Sequence, residues 1–129
     1  MVIAVDFDGT CVAHEYPSIG HHVGSVAVLE ELVAEGHELI LFTMRSGPEL
    51  EEAVWWFKCH GLPLKGVNVN PTQAKWTASP KAYAQLYLDD AALGAPLKKS
   101  AKLGVRPHYD WEKAREMLIE MGVLKGENK

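Results

Sequence analysis

A chain of 129 residues, 47% apolar and 23% charged, has the size and composition of one folded domain with a real core. Its net charge of -4 provides no general basic field for polyanions, and no apolar run approaches the roughly 20 residues that span a bilayer. These features argue against nucleic acid as a main partner and against a membrane-embedded chain. With no leader pattern at the N-terminus, the protein is expected to be soluble and cytoplasmic. Cys11 and Cys59 are too few for a disulfide framework and are expected as free thiols.

The first element is the β-type run Val2-Ile3-Ala4-Val5, which stops at Asp6-Phe7-Asp8-Gly9-Thr10. Residues 11–24 contain Pro17, Gly20 and Gly24 without a sustained period, and read as a short flap rather than a domain. Val26, Leu29, Leu32 and Val33 share one helical face, which Gly36 ends. Glu38 to Thr43 reads as a second buried strand. Ser46 as N-cap, Pro48 in the first turn and Glu49 closing a capping box then predict a helix running to Gly61. Its apolar face would use Leu50, Ala53, Val54 and Phe57, with at least one of Trp55 and Trp56 partly exposed. Val67-Asn68-Val69 is a weak third strand, residues 71–80 a loop, and Gln85 to Asp89 a fourth strand ending in acids. A helix from about Asp110 to Met121 closes the chain. Alternating strands and helices predict an α/β fold, a parallel sheet covered on both faces, within a single domain over 1–129.

In open α/β sheets, ligands gather outside the carboxyl ends of the strands, so Asp6 and Asp8 stand where chemistry is usually done. Two acids two positions apart repel each other in a water-poor cleft unless a cation, a lysine or a proton stabilises them. A metal is the expected partner. Taken singly, each feature has a plainer reading. An Asp pair can cap a turn, Thr43 can be an ordinary strand-end residue, and Asp89-Asp90 can be a solvated turn.

Taken in order, Asp6-Phe7-Asp8-Gly9-Thr10, Thr43 after Leu39-Ile40-Leu41-Phe42, Lys81, and Asp89-Asp90 after Leu86-Tyr87-Leu88 resemble the four motifs of the haloacid dehalogenase-like (HAD) superfamily. The resemblance covers residues 2–94. Pro17-x-x-Gly20, Thr43-x-Arg45-Ser46-Gly47 and Tyr87-Leu88-Asp89-Asp90 are similar to a small capless subgroup. The resemblance implies a three-layer Rossmann-like sheet without a large cap domain, and a magnesium-dependent phosphomonoester hydrolase. In that reading Asp6 is the nucleophile that forms an aspartyl-phosphate, and Asp8 is the general acid and base. Thr43 binds phosphate, and Lys81 stabilises charge on phosphate and nucleophile. Asp6, the Asp8 backbone carbonyl, Asp89 and Asp90 form the magnesium set, with Asp90 favoured over Asp89 as the direct ligand. Gly9, Thr10, Met44 and Arg45 are substrate-side candidates.

Several rivals remain at this stage. Lys75 also precedes the fourth strand. Arg45 can equally form a surface pair with Glu49 or Glu52. His14, Glu15 and Tyr16 either touch the leaving group or form a solvated loop, and His21-His22 without further ligand spacing reads as surface. A cysteine-dependent phosphatase needs an arginine six positions after its cysteine, where this chain has Pro17 and Lys65. A phosphoacceptor receiver domain and a catalytically silent HAD-like binding domain are the alternatives, and the order of the acidic motifs argues for turnover. The expected partner is a small phosphorylated substrate, a sugar phosphate or a nucleotide among the candidates, with a homo-oligomer possible.

Overall fold

The computed structural model of the protein describes residues 1–100, 102 and 104–126. Four parallel strands, β1 (Val2–Val5), β2 (Glu38–Leu41), β3 (Leu64–Val67) and β4 (Leu86–Leu88), form a sheet in the order β3-β2-β1-β4. Helices α1 (Ser25–Ala34) and α2 (Gly47–Cys59) connect the first three strands, and α3 (Trp111–Glu120) follows a two-stranded antiparallel pair, β5 (Leu97–Lys98) and β6 (His108–Tyr109). This is a small α/β Rossmann-like fold without a cap. None of the described helices is long and apolar enough to cross a membrane.

The register explains how the sheet is buried. Ile3 pairs with Leu39 and Leu86, and Val5 with Leu41 and Leu88, so these residues share one face. They join Phe7, Leu29 and Leu32, Phe57 and Trp56, and Trp111 and Leu118 in one apolar core, which all three helices therefore cover. Ala4, Ile40 and Tyr87 point the other way. That face is covered by the long β3–β4 connection, not by a helix: the Tyr87 hydroxyl donates to Ala82 O at 2.6 Å, and a Cβ on Gly66 would collide with Val69 O. Buried amides replace helical hydrogen bonds in that connection. Gln73 Nε2 donates to Ser79 O and Lys81 O, its Oε1 accepts from Tyr83 N, and Asn70 Nδ2 donates to Tyr83 O.

Several boundaries differ from those the sequence predicts. The third strand lies earlier, at Leu64–Val67, because Asn68 adopts a left-handed conformation (φ 59°) that ends it. The fourth strand is confined to Leu86–Leu88, and the second ends at Leu41. Ser46 is the α2 N-cap by position, but its side chain makes no capping bond and the expected box does not form. Trp56 rather than Leu50 or Val54 completes the buried stripe of α2, while Trp55 is exposed as expected. Asp110 does cap α3, accepting from Lys113 N. Both cysteines are free.

Candidate functional site

The chain runs from β1 through α1 to β2 and β3 on one side, then crosses back to β4 on the other side of β1. The carboxyl ends of β1 and β4 therefore flank the switch point of the sheet, where the diverging connections leave a crevice. Asp6 follows β1, and its N–H donates to Leu88 O at 2.9 Å. Asp89 and Asp90 follow β4. Ligand oxygens of Asp6, Asp89 and Asp90 lie within 4.8 Å of one another.

Thr10 ties this cluster together. Its Oγ1 lies 2.9 Å from Asp6 Oδ2 and 3.2 Å from Asp90 Oδ1, and accepts the Asp90 N–H at 3.0 Å. One hydroxyl proton serves two carboxylates, so the cluster is short of positive charge. Burial first, then the charge of Asp89, push the Asp6 carboxyl up to about 8, with the Thr10 hydroxyl pulling the other way. Among the described residues no lysine or arginine forms an ion pair with Asp6, Asp89 or Asp90. Only His14 pairs there, its Nε2 2.8 Å from Asp90 Oδ2. Oxygen-only donors with excess negative charge suit a hard divalent cation, so the residues present fit magnesium.

Asp8 is held quite differently. Arg45 Nε donates to Asp8 Oδ2 and Nη2 to Oδ1, both at 2.8 Å. The same guanidinium donates to Pro17 O, Ser18 O and Glu49 O and lies between the rings of Phe7 and Tyr16. Its bond to Asp8 raises the Arg45 pKa further, and the side chain is 1% exposed. This corrects two expectations: Arg45 has no free donor for a substrate, and its ion-pair partner is Asp8, not Glu49 or Glu52. The side chain of Asp8 also lies outside the cluster of carboxylates that could hold a metal ion.

The remaining candidates divide. The Thr43 hydroxyl accepts from Arg45 N at 3.1 Å and keeps its own proton to donate, while Thr43 N is oriented onto Asn68 Oδ1 at 2.7 Å. The Met44 side chain is exposed. Lys81 holds its ammonium over the Tyr87 ring, 5.5 Å from the centroid, and Tyr87 precedes Asp89 by two residues on the same side of β4. Lys75 is the last residue of a 3-10 turn (Gln73–Lys75), and both lysines are exposed, so burial does not separate the two. Cys11 is buried, and burial together with the charges of Asp6 and Asp8 pushes its thiol well up, so it packs as an inert apolar group. His21 pairs with Glu15, and His22 packs against His60 and Trp56.

The C-terminal segment also builds the site, a contribution the sequence reading missed. Tyr109 N donates to Gly9 O at 2.8 Å and Trp111 Nε1 to Thr10 O at 2.7 Å, so β6 and the start of α3 pin the loop after β1. Burial and the charges of Asp89 and Asp90 raise the Tyr109 phenol to about 12. The flap is pinned too: Ala13 N donates to His21 O, and Cys11, Val12 and Ala13 are buried. His14, Asn68, Tyr109 and Trp111 are the contributors the motif pattern did not reveal. Of these, His14 carries a local signal as a flap residue just beyond the first acid pair, and Trp111 lies at the start of the helix expected from about Asp110.

No protein-family model and no curated protein matches the chain. Among solved structures, a conserved protein from Bacteroides thetaiotaomicron is 35% identical and matches with a TM-score of 0.72, over 99% of this chain and 98% of that one.

Proposed function

We propose, for a chain that belongs to the same family as the conserved Bacteroides thetaiotaomicron protein, that it is a magnesium-dependent phosphomonoester hydrolase of the HAD type with Asp6 as nucleophile. The observation that carries this reading is the meeting of Asp6, Asp89 and Asp90 at the β1/β4 switch point, where among the described residues His14 is the one basic side chain paired with them. The sheet order supports it over a receiver domain. Receiver-type sheets follow the order 2-1-3-4-5, whereas here β1 lies between β2 and β4.

Magnesium held by Asp6, Asp89 and Asp90 would keep the nucleophile ionised and offset charge on the phosphoryl oxygens. A carboxylate oxygen of Asp6 bonds to phosphorus as the ester P–O bond breaks, and Asp8, which takes up a proton from solvent when it leaves one arm of Arg45, gives that proton to the departing alkoxide. Water then attacks the aspartyl-phosphate at phosphorus and gives a proton to Asp8. The bond to Asp6 breaks, inorganic phosphate leaves, and both carboxyl groups return to their starting states. Asp8 reaches the leaving oxygen by releasing one arm of the Arg45 fork while the other arm retains it. The Thr43 hydroxyl and the Lys81 ammonium serve the phosphoryl oxygens. A site without a cap suits small phosphate esters, sugar phosphates and nucleotides among them.

The test is phosphate release from p-nitrophenyl phosphate and a panel of sugar and nucleotide monophosphates, with magnesium or EDTA, for the native chain and Asp6→Asn. Magnesium-dependent release that falls by at least about 1,000-fold in Asp6→Asn is the expected result. A loss of less than about tenfold overturns the covalent reading. Retention of label from acetyl phosphate without turnover would favour the receiver alternative.

A further inference from the structure

We propose that His14 is a positioning residue: it fixes the Asp90 carboxylate so that Asp6, Asp89 and Asp90 can share one divalent cation. The inference rests on the metal in the reading above and asks what holds its ligands. His14 Nε2 lies 2.8 Å from Asp90 Oδ2, the opposite oxygen lies 3.2 Å from Thr10 Oγ1, and the Asp90 N–H donates to that hydroxyl at 3.0 Å. Both carboxylate oxygens are thus restrained by residues far away in the chain. Among the described residues, the Asp89 carboxylate has only a short-range restraint, the N–H of Ala91 on its Oδ1 at 2.9 Å. A carboxylate oxygen carries two lone pairs, so Oδ2 can accept from His14 and keep the other for a cation.

A second observation shows that the pair is built into the loop that carries the nucleophile. Gly9 has φ +84°, and a Cβ there would overlap both His14 Nε2 and Asp90 Oδ2. The imidazole–carboxylate contact passes directly over this glycine and occupies the space a side chain would fill. The flap supplies the anchor: Ala13 N donates to His21 O, and Gly20 approaches the Ala13 backbone too closely for any side chain, so His14 leaves a fixed point. The side chains of His14 and Asp90 are 16% and 8% exposed, so water competes little for the bond. An outer partner of this kind sets the orientation of a metal-ligating carboxylate, and its loss typically weakens metal binding by 10- to 100-fold.

The test is a magnesium chloride titration followed by calorimetry on the full chain, comparing the native protein with His14→Ala and His14→Gln, with melting in EDTA as the check on folding. We expect His14→Ala to raise the magnesium Kd by about 10- to 100-fold. His14→Gln, which brings an amide N–H to the same oxygen, should return to within about threefold of native. Should the smaller side chain loosen the flap, His14→Leu, without a donor, takes its place in the comparison. An unchanged Kd in the donor-less variants, or a glutamine variant as weak as alanine, overturns the inference while leaving the metal reading intact. A native chain that binds no magnesium overturns both.

Discussion

Asp6 and Asp8 stand two positions apart on the same loop, yet their surroundings are opposite. Asp8 meets a bidentate guanidinium that is itself buried between two rings and tied to three backbone carbonyls. Asp6 meets two further carboxylates and one shared hydroxyl, and is pushed up to about 8. The first region is electrostatically complete without any ligand, and the second is complete only when a cation or a proton arrives. Strand alternation would set residues two apart on one side, but β1 ends at Val5, and the turn that follows, with Thr10 N and Cys11 N donating to Phe7 O, lets Asp6 meet the β4 carboxylates while Asp8 turns toward Arg45.

The largest expected effect comes from breaking the complete side. Arg45→Met removes all five bonds of the guanidinium and leaves the Asp8 carboxylate without its counter-charge. Urea unfolding should show a loss of about 3–5 kcal/mol, the cost typical of stripping one partner from a buried ion pair. A loss under about 1 kcal/mol would mean that water or a neighbour replaces the guanidinium and that the Asp8 side is not structurally fixed.

The incomplete side should respond to pH in the opposite sense from an ordinary paired aspartate. The folded pKa of Asp6, about 8, lies above its usual 3.8, so the metal-free native state holds a proton that the unfolded chain has already released. That contribution to stability is fully present below pH 4 and is lost as pH rises through 8. In EDTA, the unfolding free energy from urea melts should therefore fall between pH 5 and pH 8, by about 2–4 kcal/mol, and added magnesium should flatten the slope. A smaller change of the same origin is expected from Asp6→Asn: a gain of about 1 kcal/mol in EDTA above pH 8, where the folded Asp6 is ionised and the substitution removes a repelling charge, together with loss of the stabilisation by magnesium. Unchanged midpoints in EDTA for this variant would show that the three carboxylates do not repel as their spacing implies.

The same contrast explains what could be read from sequence. β1, β2 and β4 and the acids that follow them were legible because a buried parallel strand is a short apolar run and its polar end is abrupt. β3 lies earlier than expected because Leu64, Lys65 and Gly66 carry no such run, and Asn68, which stands between the β-branched Val67 and Val69, is the residue that ends the strand. Arg45 looked available because its partner, Asp8, lies 37 positions away, and periodicity gives no information about contacts across the sheet edge. The helix-free face was unpredictable for a similar reason. Asn70 and Gln73 read as loop polarity, yet they are the buried amides that let a loop cover a sheet. His14 shows the same limit within the flap, since only the folded loop brings it over Gly9 to Asp90.

The smallest effect concerns the outer rim of the flap, where Glu15 receives His21 Nδ1 at 2.8 Å and Lys102 Nζ at 2.9 Å. The His21 hydrogen bond first, then that of Lys102, lowers the Glu15 carboxyl to about 2 from its usual 4.5. A lowered folded pKa contributes stability above pH 4.5 that is lost as pH falls toward 2, the reverse of Asp6. Glu15 is partly exposed and both its partners are exposed, however, so solvent and salt screen these bonds, and Glu15→Gln should move the melting temperature by less than the change from low to high salt moves that of the native chain. The informative reading is a carboxyl NMR titration of Glu15 at two ionic strengths. A midpoint that stays well below 4.5 at high salt would mean that the flap holds this pair in a fixed geometry out to its tip. A midpoint that returns to the ordinary value would confine the rigid part of the flap to the segment pinned by Ala13 N and Arg45.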